Sequence, residues 1–207
     1  KMLPERVNAL RYVKRNDSLI FWGTGDPSFF QAKLKGTAAY DFLKASNEKL
    51  FYAPTRYTSS FYGAGWQWDD YNDYYQPEVS ELPIMDNMVT VNNGQRGLSI
   101  RPKMFSPYFT TDTALQTAYR VVRDFDYNSF TVPKTAIPPT YTQQIPYKTS
   151  PQITAKLLAD TLEKEVQILN LEMPLDAEAL LGLERDSILK EMMLPSDNFI
   201  AEHLLLL

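Results

Sequence analysis

The chain has 207 residues, 44% hydrophobic and 22% charged, enough material for one domain or two small ones with cores of their own. A net charge of −4 and a pI of about 5.1 argue against a nucleic-acid partner, which would ask for a basic face. With no cysteine and a single histidine, the sequence excludes disulfides, cysteine catalysis and thiolate or multi-histidine metal sites, and it implies no cofactor.

In chain order, residues 1–10 carry no clear pattern. Ser18-Leu19-Ile20-Phe21-Trp22 reads as a short buried strand, and Gly23-Thr24-Gly25-Asp26-Pro27 as a tight turn needing positive φ. No Gly-Lys-Ser/Thr follows, so this is not a phosphate loop. Residues 37–46 read as a short helix with Thr37 as its cap. Residues 50–62 are aromatic and strand-like. Residues 63–71, Gly-Ala-Gly-Trp-Gln-Trp-Asp-Asp-Tyr, form a dense aromatic-acidic loop, either a recognition surface or a solvated loop with its rings packed inward.

Residues 85–91 and 98–101 are expected as strands flanking an Asn92-Asn93-Gly94 hairpin turn. Residues 113–122 read as a helix. Residues 132–151 hold five prolines and should be extended, at a domain or sheet edge. Ser150-Pro151 then starts a helix, as cap and first helical residue, with Ile153, Leu157, Leu158, Leu162 and Val166 as its apolar stripe. Residues 166–171 read as a strand and 179–183 as helix or strand. Asp186 is expected to cap a helix carrying Ile188, Leu189, Met192 and Met193. No apolar run approaches the ~20 residues of a membrane span.

The most informative stretch is 192–202, Met-Met-Leu-Pro-Ser-Asp-Asn-Phe-Ile-Ala-Glu. Pro195 cannot continue a helix, so Ser196-Asp197-Asn198 should lie on a short break between two apolar helices, its side chains free to face a cleft. Ser-Asp-Asn is also a good helix cap. It is equally one of three fragments of penicillin-recognising serine acyl transferases, with Ser-x-x-Lys and Lys-Thr-Gly. There a lysine activates the attacking serine, a second hydroxyl relays a proton, and an amide that both donates and accepts holds substrate and lysine together. His203, on the expected last helix, reads as structural rather than catalytic.

The partner fragments are poorly matched. Ser46-Asn47-Glu48-Lys49 closes a polar helix with Lys49 in a turn, and Ser187-Ile188-Leu189-Lys190 lies on the helix just before Ser196. Lys134-Thr135-Ala136 and Lys148-Thr149-Ser150 lack the glycine that lets backbone approach a substrate, and both precede Ser196.

Four places together resemble the low-molecular-mass penicillin-binding proteins of the D-alanyl-D-alanine carboxypeptidase/endopeptidase type, the DacB-like peptidase family. Gly23-Thr24-Gly25-Asp26-Pro27-Ser28-Phe29 is similar to the family's Gly-Asp-Pro segment, and Gly65-Trp66-Gln67-Trp68-Asp69-Asp70 to its Gly-Trp-x-Trp-(Asn/Asp)-Asp loop. Tyr147-Lys148-Thr149-Ser150-Pro151 resembles the close of its inserted region, and Ser196-Asp197-Asn198-x-x-Ala201-Glu202 its second motif. The likeness spans nearly the whole chain in the right order.

The resemblance implies an α+β chain. Residues 1–180 would be a strand-rich accessory region inserted between the first and second motifs, and 181–207 part of a transpeptidase-like domain. Ser-x-x-Lys would lie upstream of Lys1 and Lys-Thr-Gly downstream of Leu207, so the chain is expected to be inert alone. It implies a serine peptidase outside the cytoplasmic membrane that acts on peptidoglycan stem peptides and is acylated by β-lactams. Ser196 would be the relay hydroxyl and Asn198 the substrate-positioning amide. Asp70, or its neighbour Asp69, would read the free amine of a diaminopimelate side chain. Glu202 would hold its helix. The alternative is a non-catalytic wall-binding module using residues 63–75.

Overall fold

The computed structural model describes residues 3–207 except 56, 58–59, 96, 116–119 and 134–136. The first strands are β1 (Arg6–Arg15), β2 (Ser18–Trp22) and β3 (Lys49–Tyr52), with helix α1 (Ala38–Ala45) before β3. Next come β4 (Met88–Gly94), β5 (Gly97–Arg101), β6 (Phe109–Asp112), β7 (Val122–Arg123), β8 (Phe130–Pro133) and β9 (Thr142–Pro146). The chain closes with α2 (Pro151–Leu162), β10 (Val166–Ile168), β11 (Glu178–Glu184), α3 (Arg185–Met193) and α4 (Asn198–Leu204). This is the expected α+β class. Two compact units share the chain: unit 1 takes Lys1–Gly63, Val79–Asp86 and Thr149–Leu207, and unit 2 takes Ala64–Glu78 and Asn87–Lys148. This spatial division differs from the division at residue 180, which follows motif order rather than packing.

Unit 1 is built on a mixed sheet in the order β10-β3-β2-β1-β11, with β2, β3 and β10 parallel and β1 antiparallel to both its neighbours. Tyr12, Phe21 and Tyr52 are successive register partners across β1, β2 and β3, and Phe42 of α1 meets Tyr12 at 4.6 Å between ring centroids. Val13, Ile20, Trp22, Ala53 and Ala177 form a separate cluster, covered by Leu169, Leu171 and Met173. The Trp22 indole donates to the Leu171 carbonyl at 2.9 Å, which ties that cover to the sheet.

Strand β1 falls on residues without a legible pattern. Its register against β11 shifts twice, between Arg6 and Asn8 and between Asn8 and Leu10, so apolar residues do not alternate. Two of its charged residues serve backbone instead: Arg6 donates to the Gly182 carbonyl at 2.6 and 3.0 Å, and Arg11 to that of Ala177 at 3.1 Å.

Unit 2 holds two three-stranded sheets, β5-β4-β9 and β6-β8-β7. Val89, Val91, Phe105, Phe130, Ile145 and Tyr147 are buried in it. The Arg123 guanidinium is buried there too, donating to the carbonyls of Pro146 and Asp124 at 2.8 and 2.6 Å.

Four local expectations are corrected. The hairpin turn lies after Gly94 rather than on residues 92–94, since Gly94 pairs with Gly97 and Asn92 and Asn93 are strand residues. Their side chains reach sideways: Asn93 donates to the Ile137 carbonyl at 2.7 Å, and the Asn92 carbonyl oxygen accepts from Thr142 at 2.9 Å. Residues 113–115 are not helical, β7 begins at Val122, and 116–119 lie outside the described residues. Val166 belongs to β10 rather than to the stripe of α2, because Glu163 turns left-handed (φ 53) and ends that helix. The N-cap of α3 is Glu184, with Asp186 in its first turn.

Candidate functional site

Helix α3 stops where Pro195 requires it to. The Asp197 N–H returns to the Met192 carbonyl at 2.9 Å, and Ser196 takes a left-handed conformation, φ 56, to make that return. Asp197 then caps α4: its Oδ1 accepts the Ile200 N–H at 3.2 Å. So the tripeptide is a cap, through its middle residue, and the residues on either side are released from that task. Ser196 and Asn198 are both exposed.

What holds this break in place is the buried face of α4. Phe199, Ile200 and Leu204 join Val7, Leu34 and Ile188 in one cluster. His203 is fully buried; its Nδ1–H donates to the Phe199 carbonyl at 2.7 Å and its Nε2 accepts the Ser80 N–H at 3.2 Å. Burial lowers the imidazole to about 4, with the Phe199 carbonyl opposing, so the ring is neutral near pH 7. It is a structural histidine, as expected.

Three polar residues that sequence reading passed over meet the break. Lys33 places Nζ 3.5 Å from Asp197 Oδ2. Gln31, buried, accepts the N–H groups of Lys33 and Leu34 at 2.7 Å each and its side chain bonds Asp86. Asp86 has a fully buried Oδ1 with no partner among the described residues. Burial and then the facing Asp197 push its carboxyl up to about 7, against the pull of Lys33 and Gln31. The available signal was Asp86-Asn87, two residues that tolerate the left-handed region, where a strand had been expected to start.

The Gly-Asp-Pro turn lies in the same unit. Gly25 has φ +87, and its N–H donates to the Glu81 carbonyl at 2.7 Å. Asp26 is buried and accepts from the N–H and hydroxyl of Ser28 at 3.0 and 2.9 Å; burial nevertheless lifts its carboxyl to about 6.

Asp70 belongs to unit 2. It ends a single 3-10 turn, Trp68–Asp70, and its carboxylate bonds the Tyr75 hydroxyl, which is pushed up to about 12 mainly by that bond. Asp69 is exposed, and so is Trp68, at 74%, edge-on to Phe125 at 6.2 Å. The loop is fixed by Asn72, whose side chain donates to the Val121 carbonyl at 3.1 Å and accepts the Arg123 N–H at 2.7 Å.

Neither Ser-x-x-Lys pair is assembled for nucleophilic work. The Ser46 hydroxyl is spent on Glu48 at 2.6 Å, while Lys49, a strand residue rather than a turn residue, pairs with Asp17 at 2.7 Å. Ser187 and Lys190 are exposed on α3. Lys148 pairs with buried Glu78 at 3.2 Å, and Ser150 caps α2 by accepting the Ile153 N–H at 3.2 Å. Lys134-Thr135-Ala136 lies outside the described residues.

Residues 7–207 match the D-Ala-D-Ala carboxypeptidase 3 (S13) family. The chain belongs to this family. No curated protein sequence matches it. Among solved structures it is similar to penicillin binding protein 4 (dacB) from Haemophilus influenzae, with a TM-score of 0.65 and 18% identity over 98% of this chain and 52% of that one. The same protein complexed with a novel β-lactam aligns with a TM-score of 0.56 and 17% identity, over 97% and 50% of the two chains. This S13-family chain therefore spans about half the length of the solved structures it matches. Among its described residues no helix is long and apolar enough to cross a membrane.

Proposed function

We propose that the intact protein is a serine D-Ala-D-Ala carboxypeptidase/endopeptidase of the cell envelope, acting on peptidoglycan stem peptides through an acyl-enzyme and acylated by β-lactams. The observation that carries this is the division of labour at residues 196–198: Asp197 holds the helix, and Ser196 and Asn198 are left facing outward. Ser196 relays the proton to the leaving nitrogen, and Asn198 binds the substrate backbone. The attacking serine and its lysine belong to polypeptide outside residues 1–207, since both Ser-x-x-Lys pairs within the chain are otherwise engaged or exposed on a helix. Residues 1–180 form the accessory part and 181–207 part of the transpeptidase-like domain, carrying Ser196-Asp197-Asn198.

The test is covalent labelling by a fluorescent penicillin. The intact protein should label, residues 1–207 alone should not, and Ser196→Ala in the intact protein should slow acylation by roughly a hundredfold, the usual worth of a placed proton relay. Labelling of residues 1–207 alone, or an unimpaired Ser196→Ala, would overturn the reading.

The exposed aromatic loop supports a specificity role for Asp70 in the same protein, and equally a wall-binding role for the loop by itself. Asp70→Ala should change the ratio of turnover between diaminopimelate-containing and lysine-containing stems. An unchanged ratio removes Asp70 as the reader. Peptidoglycan binding by a form that never labels would favour the binding module.

A further inference from the structure

We propose that Asp86 is a positioning residue for the Ser196-Asp197-Asn198 break, acting through Lys33 and the carboxylate of Asp197; this rests on the reading that Ser196 and Asn198 face the reaction cleft. The first observation is backbone strain. Met85, Asp86 and Asn87 have φ of 54, 59 and 53, three successive non-glycine residues in the left-handed region. Each costs on the order of 1 kcal/mol, and such strain persists only where the surroundings dictate it.

The second observation is what the strain delivers. It carries the Asp86 carboxyl inside, where Oδ1 is buried and without a partner among the described residues. Gln31 orients the group: with its oxygen occupied by the Lys33 and Leu34 N–H groups, its amide N–H2 is the part left for the carboxyl. The same loop thereby aims Lys33 at Asp197. Among the described residues the charged groups facing Asp86 are Lys33 and Asp197. His203, on α4, is neutral and bonded on both ring nitrogens.

Three ionisable groups, Lys33, Asp86 and Asp197, and the one proton on Asp86 then set the break. With Asp86 protonated, Lys33 pairs with Asp197 alone, and Asp197 caps α4 squarely between Ser196 and Asn198. When Asp86 gives its proton to water, a second carboxylate competes for Lys33 and repels Asp197. The cap weakens and the two outward-facing side chains lose their registration. Asp86 touches neither Ser196 nor Asn198 in this scheme.

The test uses the intact protein. The acylation rate with a fluorescent penicillin is measured from pH 5 to 9 for wild type and Asp86→Asn. The ratio of variant to wild type should rise about fivefold from pH 6 to pH 8, the size of one weakened cap. A ratio flat in pH overturns the proposal. Independently of catalysis, the carboxyl carbon resonance of Asp197 should show an inflection near pH 7 that Asp86→Asn removes. Lys33→Met should move that inflection to higher pH, because the cation favouring ionised Asp86 is gone. An Asp197 resonance indifferent to Asp86 overturns the proposal even where Ser196→Ala behaves as expected. Conversely, an unimpaired Ser196→Ala with the inflection present removes the functional reading and upholds the coupling of Asp86 to Asp197.

Discussion

His203 stays neutral in the fold because burial lowers it to about 4, below its ordinary 6.5, whereas the unfolded chain takes up a proton. Its contribution to stability is therefore complete above about pH 6.5 and is lost as pH falls toward 4. The stability gap between wild type and His203→Gln should narrow over that window by up to ~1.4 kcal/mol per pH unit, read from urea midpoints. Asp26 runs the other way. Its folded value of about 6 exceeds its ordinary 3.8, so its contribution is complete below 3.8 and is lost as pH rises through 6. Asp26→Asn should gain on wild type over pH 4 to 6. Equal pH slopes for all three proteins would show that neither group keeps its shifted value in solution.

Helix ends carry much of the local specification, and they differ in how visible they are. Ser150 and Pro151 announce α2 in the sequence because a hydroxyl and a fixed φ are both needed at a helix start, and the fold uses them so. Ser150→Ala should cost ~1 kcal/mol in denaturant midpoint analysis. The other end of α2 was hidden: Glu163 takes the left-handed position that usually belongs to glycine, so the apolar stripe seemed to run on to Val166. Glu163→Gly should stabilise by ~0.5–1 kcal/mol, because its pairing with Lys44 is exposed and weak. The same logic explains what was legible at the site. Pro195 marks the break, and Ser196-Asp197-Asn198 reads as cap or chemistry. Lys33 and Gln31 gave no such signal and Asp86-Asn87 signalled only a left-handed turn, since only folding brings residues 31–33, 86 and 197 to one spot. The Asn92-Asn93-Gly94 turn failed for a related reason. β9 pairs along β4 as far as Asn92, and tertiary pairing outweighs turn preference.

At the scale of the molecule, unit 1 is assembled from three stretches of chain, and its β1–β11 pairing joins residues at opposite ends of the sequence, such as Arg6 and Glu184. The β4–β5 hairpin of unit 2 needs only its neighbours. Closing long loops is slow, so pulsed hydrogen exchange during refolding should protect β4 and β5 amides before those of β1 and β11. The reverse order would mean that unit 1 nucleates folding. That long-range closure gives Gly25 a second significance. A methyl at its α-carbon would come within 2.6 Å of Leu206 Cβ, just past α4, and 3.2 Å of the carbonyl of His203, within α4. The bare carbon is the footprint of the final helix. Gly25→Ala would strain its own turn, where φ is +87, and would also act as a wedge against α4, so that the disturbance reaches the Ser196-Asp197-Asn198 break at that helix's start.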